Sequence, residues 1–159
     1  MLLLVLTLLA ALGSCLVAGV FFAFSSFVMG ALGRLTAPQG IAAMQAINVA
    51  VLNRSFLGVF LGTAVACGVL VFVALLHWND PGAGLRLAGA LVYLLGAFGV
   101  TMAFNVPRND RLEGVSPEGP EATALWSRYL VEWTRWNHVR TLAAVACTVL
   151  LAWSVWGRA

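Results

Sequence analysis

A chain of 159 residues that is 62% hydrophobic and only 9% charged cannot supply the polar shell of a soluble domain, in which charged residues make up about 25%. With a mean hydropathy of +0.95, it reads as an integral membrane protein. The formal charge of +3 rests on nine basic residues, all arginine, against six acids. Those arginines flank apolar runs and form no clustered basic face, so no nucleic-acid partner is indicated and membrane lipids are the first expected partner.

The first apolar run meets no charge before Arg34. It has no basic leader and far exceeds the roughly 7–15 residues of a signal-peptide core, so a retained first span over about residues 2–31 is expected. Residues 35–53 are also uncharged and long enough to cross. They hold Pro38, Gln39, Gly40, Gln45, Asn48 and Asn53, and amides in hydrocarbon are costly unless partnered. A short helix over about 40–53, interfacial or re-entrant, is therefore expected, with a fifth span as the alternative. Ile41, Gln45, Asn48 and Leu52 share one face of it, which aims two amides at partners.

The second and third spans fall at about 55–77 and 86–105, separated by WNDPGAGLR. Pro107 and the charges of NVPRNDRLEG are expected to stop the third. Gly58 and Gly62 form a GxxxG, and Gly89, Gly96 and Gly99 mark the third helix. Both sets suit close packing inside the bundle, and a homo-oligomer seam is the other use of such a pattern. The fourth helix is expected to start near Ser116 and Pro117, to project over about 117–137 and to span over about 138–157. The expected fold is an all-α integral membrane protein, a four-transmembrane-helix bundle with one short helix in the first connection.

Arginine placement orients it. Arg34, Arg54, Arg108, Arg111, Arg128, Arg135 and Arg140 lie on one side, Arg86 and Arg158 on the other. Seven against two places both large connections in the cytoplasm and both termini outside a plasma membrane. The three cysteines, Cys15, Cys67 and Cys147, sit singly within apolar runs, which suits buried small hydrophobes and offers neither a disulfide framework nor a zinc motif. His77 and His138 belong to no HxxH or ExxH, so no metal site is expected.

Polar chemistry concentrates in EWTRWNHVRT, residues 132–141. On a helical wheel Trp126, Tyr129, Trp133, Asn137 and Arg140 share one side, with Trp136 and Thr141 flanking them. Arg128, Glu132 and Arg135 take the opposite, solvated side, where i to i+3 and i+4 pairing is available. An arginine turned into a bundle needs a carboxylate, carbonyls or a ligand, and with indoles and an amide beside it can hold a planar oxygenated molecule. The alternative is an interfacial anchor, with tryptophans at headgroup level and the arginine snorkelling. His138 lies about 140° from Trp133 and joins such a site only if another helix wraps that side. Asn105 and Asn109 at the end of span three, Gln45 and Asn48 on the short helix, Asn53 at the start of span two and Ser25 in FFAFSSF converge on the same end.

Taken in order, GVFFAFSSFVMGAL, QGIAAMQAINVAVLN, FGVTMAFNVPRND and YLVEWTRWNHVRT resemble the anthrone oxygenase family over most of the chain. The residues carried over within the NVPxND and WxxWNxxRT patterns are Asn105, Asn109, Trp133, Trp136, Asn137, Arg140 and Thr141. Gly30 departs from the proline that relatives often carry there. The resemblance implies a membrane bundle and oxidation of an anthrone, a planar phenolic tricycle, to an anthraquinone by molecular oxygen without metal, flavin or other cofactor. Such chemistry needs a base, a donor for the oxygen that becomes anionic and a flat dry pocket. Arg140 and Asn137 would hold the oxyanion, and Trp133 and Trp136 the rings. His138, or a water on Asn105 or Asn109, would take the proton. Thr141, Gln45, Asn48 and Asn53 would complete the pocket. Two other classes stay open: a membrane protein binding a lipid or quinone without turnover, and a haem or metal redox protein with His138 as ligand.

Overall fold

The computed structural model describes residues 1–156. Five helices succeed one another in chain order: α1 (Leu2–Leu32), α2 (Ala37–Ala50), α3 (Arg54–Leu76), α4 (Ala83–Glu113) and α5 (Ala122–Trp156). There is no strand among the described residues. All but α2 are long and apolar enough to cross a membrane, and α2, with 14 residues, measures only about 21 Å. The chain is an all-α, multi-pass membrane bundle. At 35 residues, α5 reaches roughly 52 Å and outruns a hydrocarbon core of about 30 Å. It therefore projects at one end, where α2 packs against it.

The four long helices form an up-down-up-down ring: α1 packs on α3 and α5, and α4 packs on α3 and α5. Two apolar clusters fill it. One includes Val17, Phe21, Phe60, Cys67, Leu70, Tyr93, Cys147 and Leu151. The other lies at the α2 end and includes Met29, Leu32, Ile41, Met44, Leu112, Trp126, Tyr129 and Trp133. Cys67 and Cys147 are buried thiols, whereas Cys15 faces outward.

Several boundaries differ from the sequence expectation, each for a local reason. Helix α2 begins at Ala37, not near Gly40, because Gln39 Oε1 accepts from Thr36 N–H at 3.4 Å and Pro38 occupies the first turn. Pro107 does not stop the third span. The turns before it, Thr101–Asn105, are π-helical, and a widened turn relieves the clash and missing donor that a proline brings to a helix interior. The helix therefore continues to Glu113. Helix α5 starts at Ala122, not at 116–117, because residues 114–121 turn through Gly119 N–H to Ser116 O and Ala122 N–H to Gly119 O. Gly58 and Gly62, expected in the bundle seam, face open space on the outside of α3. Gly89 and Gly96 do meet α5, at Leu150, Leu151 and Ala143. A Cβ at Gly40 would lie 2.6 Å from the Trp126 ring, so α2 seats flat on that indole.

A cleft around a buried arginine

The side of α5 that turns inward keeps its 3.6-residue repeat: Trp126, Tyr129, Trp133, Asn137, Arg140, Thr141, Ala144 and Cys147 are all buried. Above the α2 end, helix α1 brings Phe21, Phe24 and Ser25 against this stripe. Asn137, fully buried, ties the two helices together. Its Nδ2 donates to Phe21 O and to Ser25 Oγ, each at 2.7 Å, and its Oδ1 accepts from Arg140 Nη2 at 2.7 Å. Thr141 Oγ1 donates to Asn137 O at 2.8 Å and lies 3.2 Å from Ser25 Oγ.

Arg140 is 5% exposed. Nη1 donates to Thr101 Oγ1 of α4 at 3.3 Å, and the guanidinium carbon sits 4.2 Å from the Phe21 ring centroid and 5.0 Å from that of Trp133. These cation–π contacts offset part of its desolvation. Nε has no partner, and among the described residues no carboxylate pairs with it; the one ion pair there joins Arg108 to Glu132 at 3.0 Å. A buried cation held by neutral groups alone is a receptor for negative charge.

Arg140 stands on the wall of a cleft of about 490 Å³. Phe21, Phe24, Met44, Phe56, Phe60, Val106 and Trp133 give it apolar walls, and Thr101, Asn48 and Asn109 add polar points. That volume lies within the range of small-molecule sites, about 300–1,000 Å³. Its border includes Leu52, Leu61 and Met102, all exposed, so the cleft opens to the outside of the bundle between α3 and α4. Asp110 and Glu113 also border it.

The π-helical turn shapes this wall. One extra residue in Thr101–Asn105 rotates the rest of α4 by about 100°. Without that rotation Val106, Asn109 and Glu113 would point away from the side on which Thr101 meets Arg140. Asn109 Oδ1 accepts from Tyr129 Oη and Trp133 Nε1, both at 2.8 Å, which fixes the indole edge against the cleft. Asn48 lines it too, its buried Nδ2 without a hydrogen-bond partner.

Of the residues singled out from the sequence, Arg140, Trp133, Asn109 and Asn48 line the cleft. Asn137 and Thr141 lie behind it as supports. Asn105 is fully buried, donates to Trp133 O at 3.3 Å and leaves its Oδ1 unpaired, away from the cleft lining. The others do different work. Gln45 Nε2 donates to Leu112 O and Val115 O, anchoring the end of α4. Asn53 caps α3, its Oδ1 accepting from Phe56 N–H. Trp136 stacks on Phe104 with ring centroids 3.7 Å apart, outside the cleft lining. His138 is exposed on the flank of α5 and does not border the cleft.

Phe21, Phe24, Phe60 and Thr101 are lining residues that the sequence pattern did not single out. Thr101 carries no usable periodic signal, because the π turn that follows it breaks the 3.6-residue repeat that would link it to Asn109. The phenylalanines carry none, being ordinary span residues. Among the described residues no three His, Cys, Asp or Glu side chains converge as metal ligands.

No curated protein and no solved structure matches the chain. The family model for anthrone oxygenase matches residues 50–150, a stretch that holds Thr101, Asn109, Trp133, Asn137 and Arg140 of the arrangement just described. The chain belongs to the anthrone oxygenase family.

Proposed function

We propose that the chain is an oxygenase that converts a planar, phenolic, lipid-soluble ring system of the anthrone type to the quinone, using O2 in the cleft around Arg140. The observation that carries this reading is a guanidinium 5% exposed, with no carboxylate partner and a free Nε, on the wall of an apolar aromatic cleft.

A ring methylene and O2 give a ring carbonyl and water. Loss of a methylene proton turns the opposite carbonyl into an oxyanion, and that electron-rich anion passes an electron to O2. Arg140 stabilises the oxyanion, and a preorganised donor of this kind contributes about 3–4 kcal/mol. Trp133, Phe21 and Phe24 flank the rings and keep water out, which strengthens the charge interaction. Asn137 positions the guanidinium without neutralising it. The α2 end lies in the cytoplasm and both termini outside the plasma membrane, supported by the arginine distribution. The substrate passes from the bilayer through the gap bordered by Leu52, Leu61 and Met102.

The test is oxygen uptake by purified protein given anthrone, beside Arg140→Ala. A rate above that variant and above spontaneous oxidation is expected. Equal rates, with a bound quinone or lipid retained by the protein, would replace the oxygenase by a ligand-binding membrane protein.

A further inference from the structure

The reaction needs a proton acceptor, and neither histidine nor asparagine supplies it. His77 and His138 are exposed and do not border the cleft. Asn109 Oδ1 already accepts two hydrogen bonds, and Asn105 is not among the lining residues. Of the six acids, Asp80 sits in the turn between α3 and α4 at the far end, and Glu118 and Glu121 precede α5. Glu132 is bound to Arg108. Asp110 and Glu113 remain. Both border the cleft, and neither side chain has an ion pair or hydrogen bond among the described residues.

We infer, on the basis of the oxygenase reading above, that Asp110 is the general base, placed at the exposed border of the cleft that the oxyanion donor Arg140 lines. The second observation that makes this pair a site is Arg140 itself, 5% exposed with Nε unpartnered on the same cleft. Spacing selects between the two acids. Asp110 is the nearer along α4, nine residues beyond Thr101, which holds Arg140. Glu113 lies a further turn, roughly 4–5 Å, away.

Atoms and electrons balance through a peroxide. The Asp110 carboxylate takes a proton from the ring methylene. The C–H electron pair moves through the ring onto the carbonyl oxygen at Arg140. The anion gives one electron to O2, and the resulting radical and superoxide combine at the former methylene carbon. Protonated Asp110 returns its proton to that peroxide. Removal of the second hydrogen from the same carbon then breaks the O–O bond, forming the quinone carbonyl and water.

Proton removal is separable from oxygen chemistry. Without O2, the wild-type protein is expected to accelerate exchange of anthrone methylene hydrogens with deuterium from D2O, monitored by NMR. Asp110→Asn should lose this acceleration by about 100-fold or more, the range of general-base catalysis, together with oxygen uptake. It should still bind 9,10-anthraquinone, read by tryptophan quenching. If Asp110→Asn also loses quinone binding, Asp110→Ala with added formate decides, because a missing carboxylate base is restored by a small one. No rise in exchange with formate overturns the assignment. Wild-type exchange in Asp110→Asn, or loss in Glu113→Gln alone, also overturns it while leaving the oxygenase standing. A wild-type protein that neither exchanges anthrone nor takes up oxygen overturns both.

Discussion

Arg140 Nη2 donates to Asn137 Oδ1 at 2.7 Å, one turn back on α5, while the Asn137 amide nitrogen is spent on Phe21 O and Ser25 Oγ of α1. A neutral amide thus fixes the guanidinium without cancelling its charge. Placing an uncompensated cation inside a bundle is expensive, and the fold meets that expense with an amide, a threonine hydroxyl and two aromatic faces.

The first prediction rests on the difference between α5's two sides. Arg140→Ala should lower oxygen uptake with anthrone on the order of 10²–10³-fold, the usual loss of an oxyanion donor. Arg140→Lys should recover little, since an ammonium cannot keep Asn137 and Thr101 while presenting a free donor to the ligand. His138→Ala, on the exposed flank, should stay within about twofold, because no proton transfer is lost. Initial rates for the three variants decide it, and equal losses in Arg140→Ala and His138→Ala would sink the assignment.

The second prediction concerns the missing counter-ion. Thr101 Oγ1 is 3.3 Å from Arg140 Nη1, so Thr101→Asp places a carboxylate where the ligand's negative charge is expected to pair. A buried pair of opposite charges with good geometry is tolerated, so the variant should fold. It should bind an ionised phenolic anthraquinone at least about tenfold more weakly, a loss of roughly 1.4 kcal/mol. Binding of unsubstituted anthraquinone should change much less. Unaltered binding of the ionised ligand would show that Arg140 does not meet it.

The reach of the sequence is clearest on α5. Its inward stripe was legible because Trp126, Tyr129, Trp133, Asn137 and Arg140 obey one helical period, and a wheel needs nothing else. The roles of Gln45, Asn53 and Trp136 were not legible. Each is set by a partner on another element or turn, the Leu112 and Val115 carbonyls, the Phe56 amide and the Phe104 ring, and one-helix periodicity carries no information about partners. The lining of α4 was hidden for a different reason. A π turn shifts the period by one residue, so Thr101, Asn109 and Glu113 come to one side only after Thr101–Asn105 widens.

The third prediction tests Gln45 as an anchor. Its Nε2 donates at 2.9 Å to Leu112 O and at 3.0 Å to Val115 O, holding the end of α4 beside α2. Gln45→Glu replaces that donor with an acceptor facing two carbonyls. The loss of two hydrogen bonds plus an unpaired charge should cost about 2–3 kcal/mol, read as a lower melting temperature in detergent. Oxygen uptake should fall with it, because α2 supplies Met44 and Asn48 to the cleft. A melting temperature equal to the wild type would rule out the anchoring role.

The fourth prediction uses two glycines with opposite surroundings. A Cβ at Gly96 would stand 2.6 Å from Ala143 Cβ on α5, whereas a Cβ at Gly58 would meet nothing within 4 Å. Both substitutions to alanine gain up to about 1 kcal/mol in helix propensity. At Gly96 the gain is opposed by overpacking between two backbones, which typically costs about 1–3 kcal/mol. The helices can relieve it only by moving apart. That motion would stretch the Thr101–Arg140 contact, already 3.3 Å long, beyond hydrogen-bond range. Gly96→Ala should therefore lower both the melting temperature and oxygen uptake, while Gly58→Ala should leave the melting temperature unchanged or raise it. If Gly96→Ala melts as high as Gly58→Ala, α4 and α5 are not in close contact at this point, and the position assigned to Thr101 beside Arg140 fails with it.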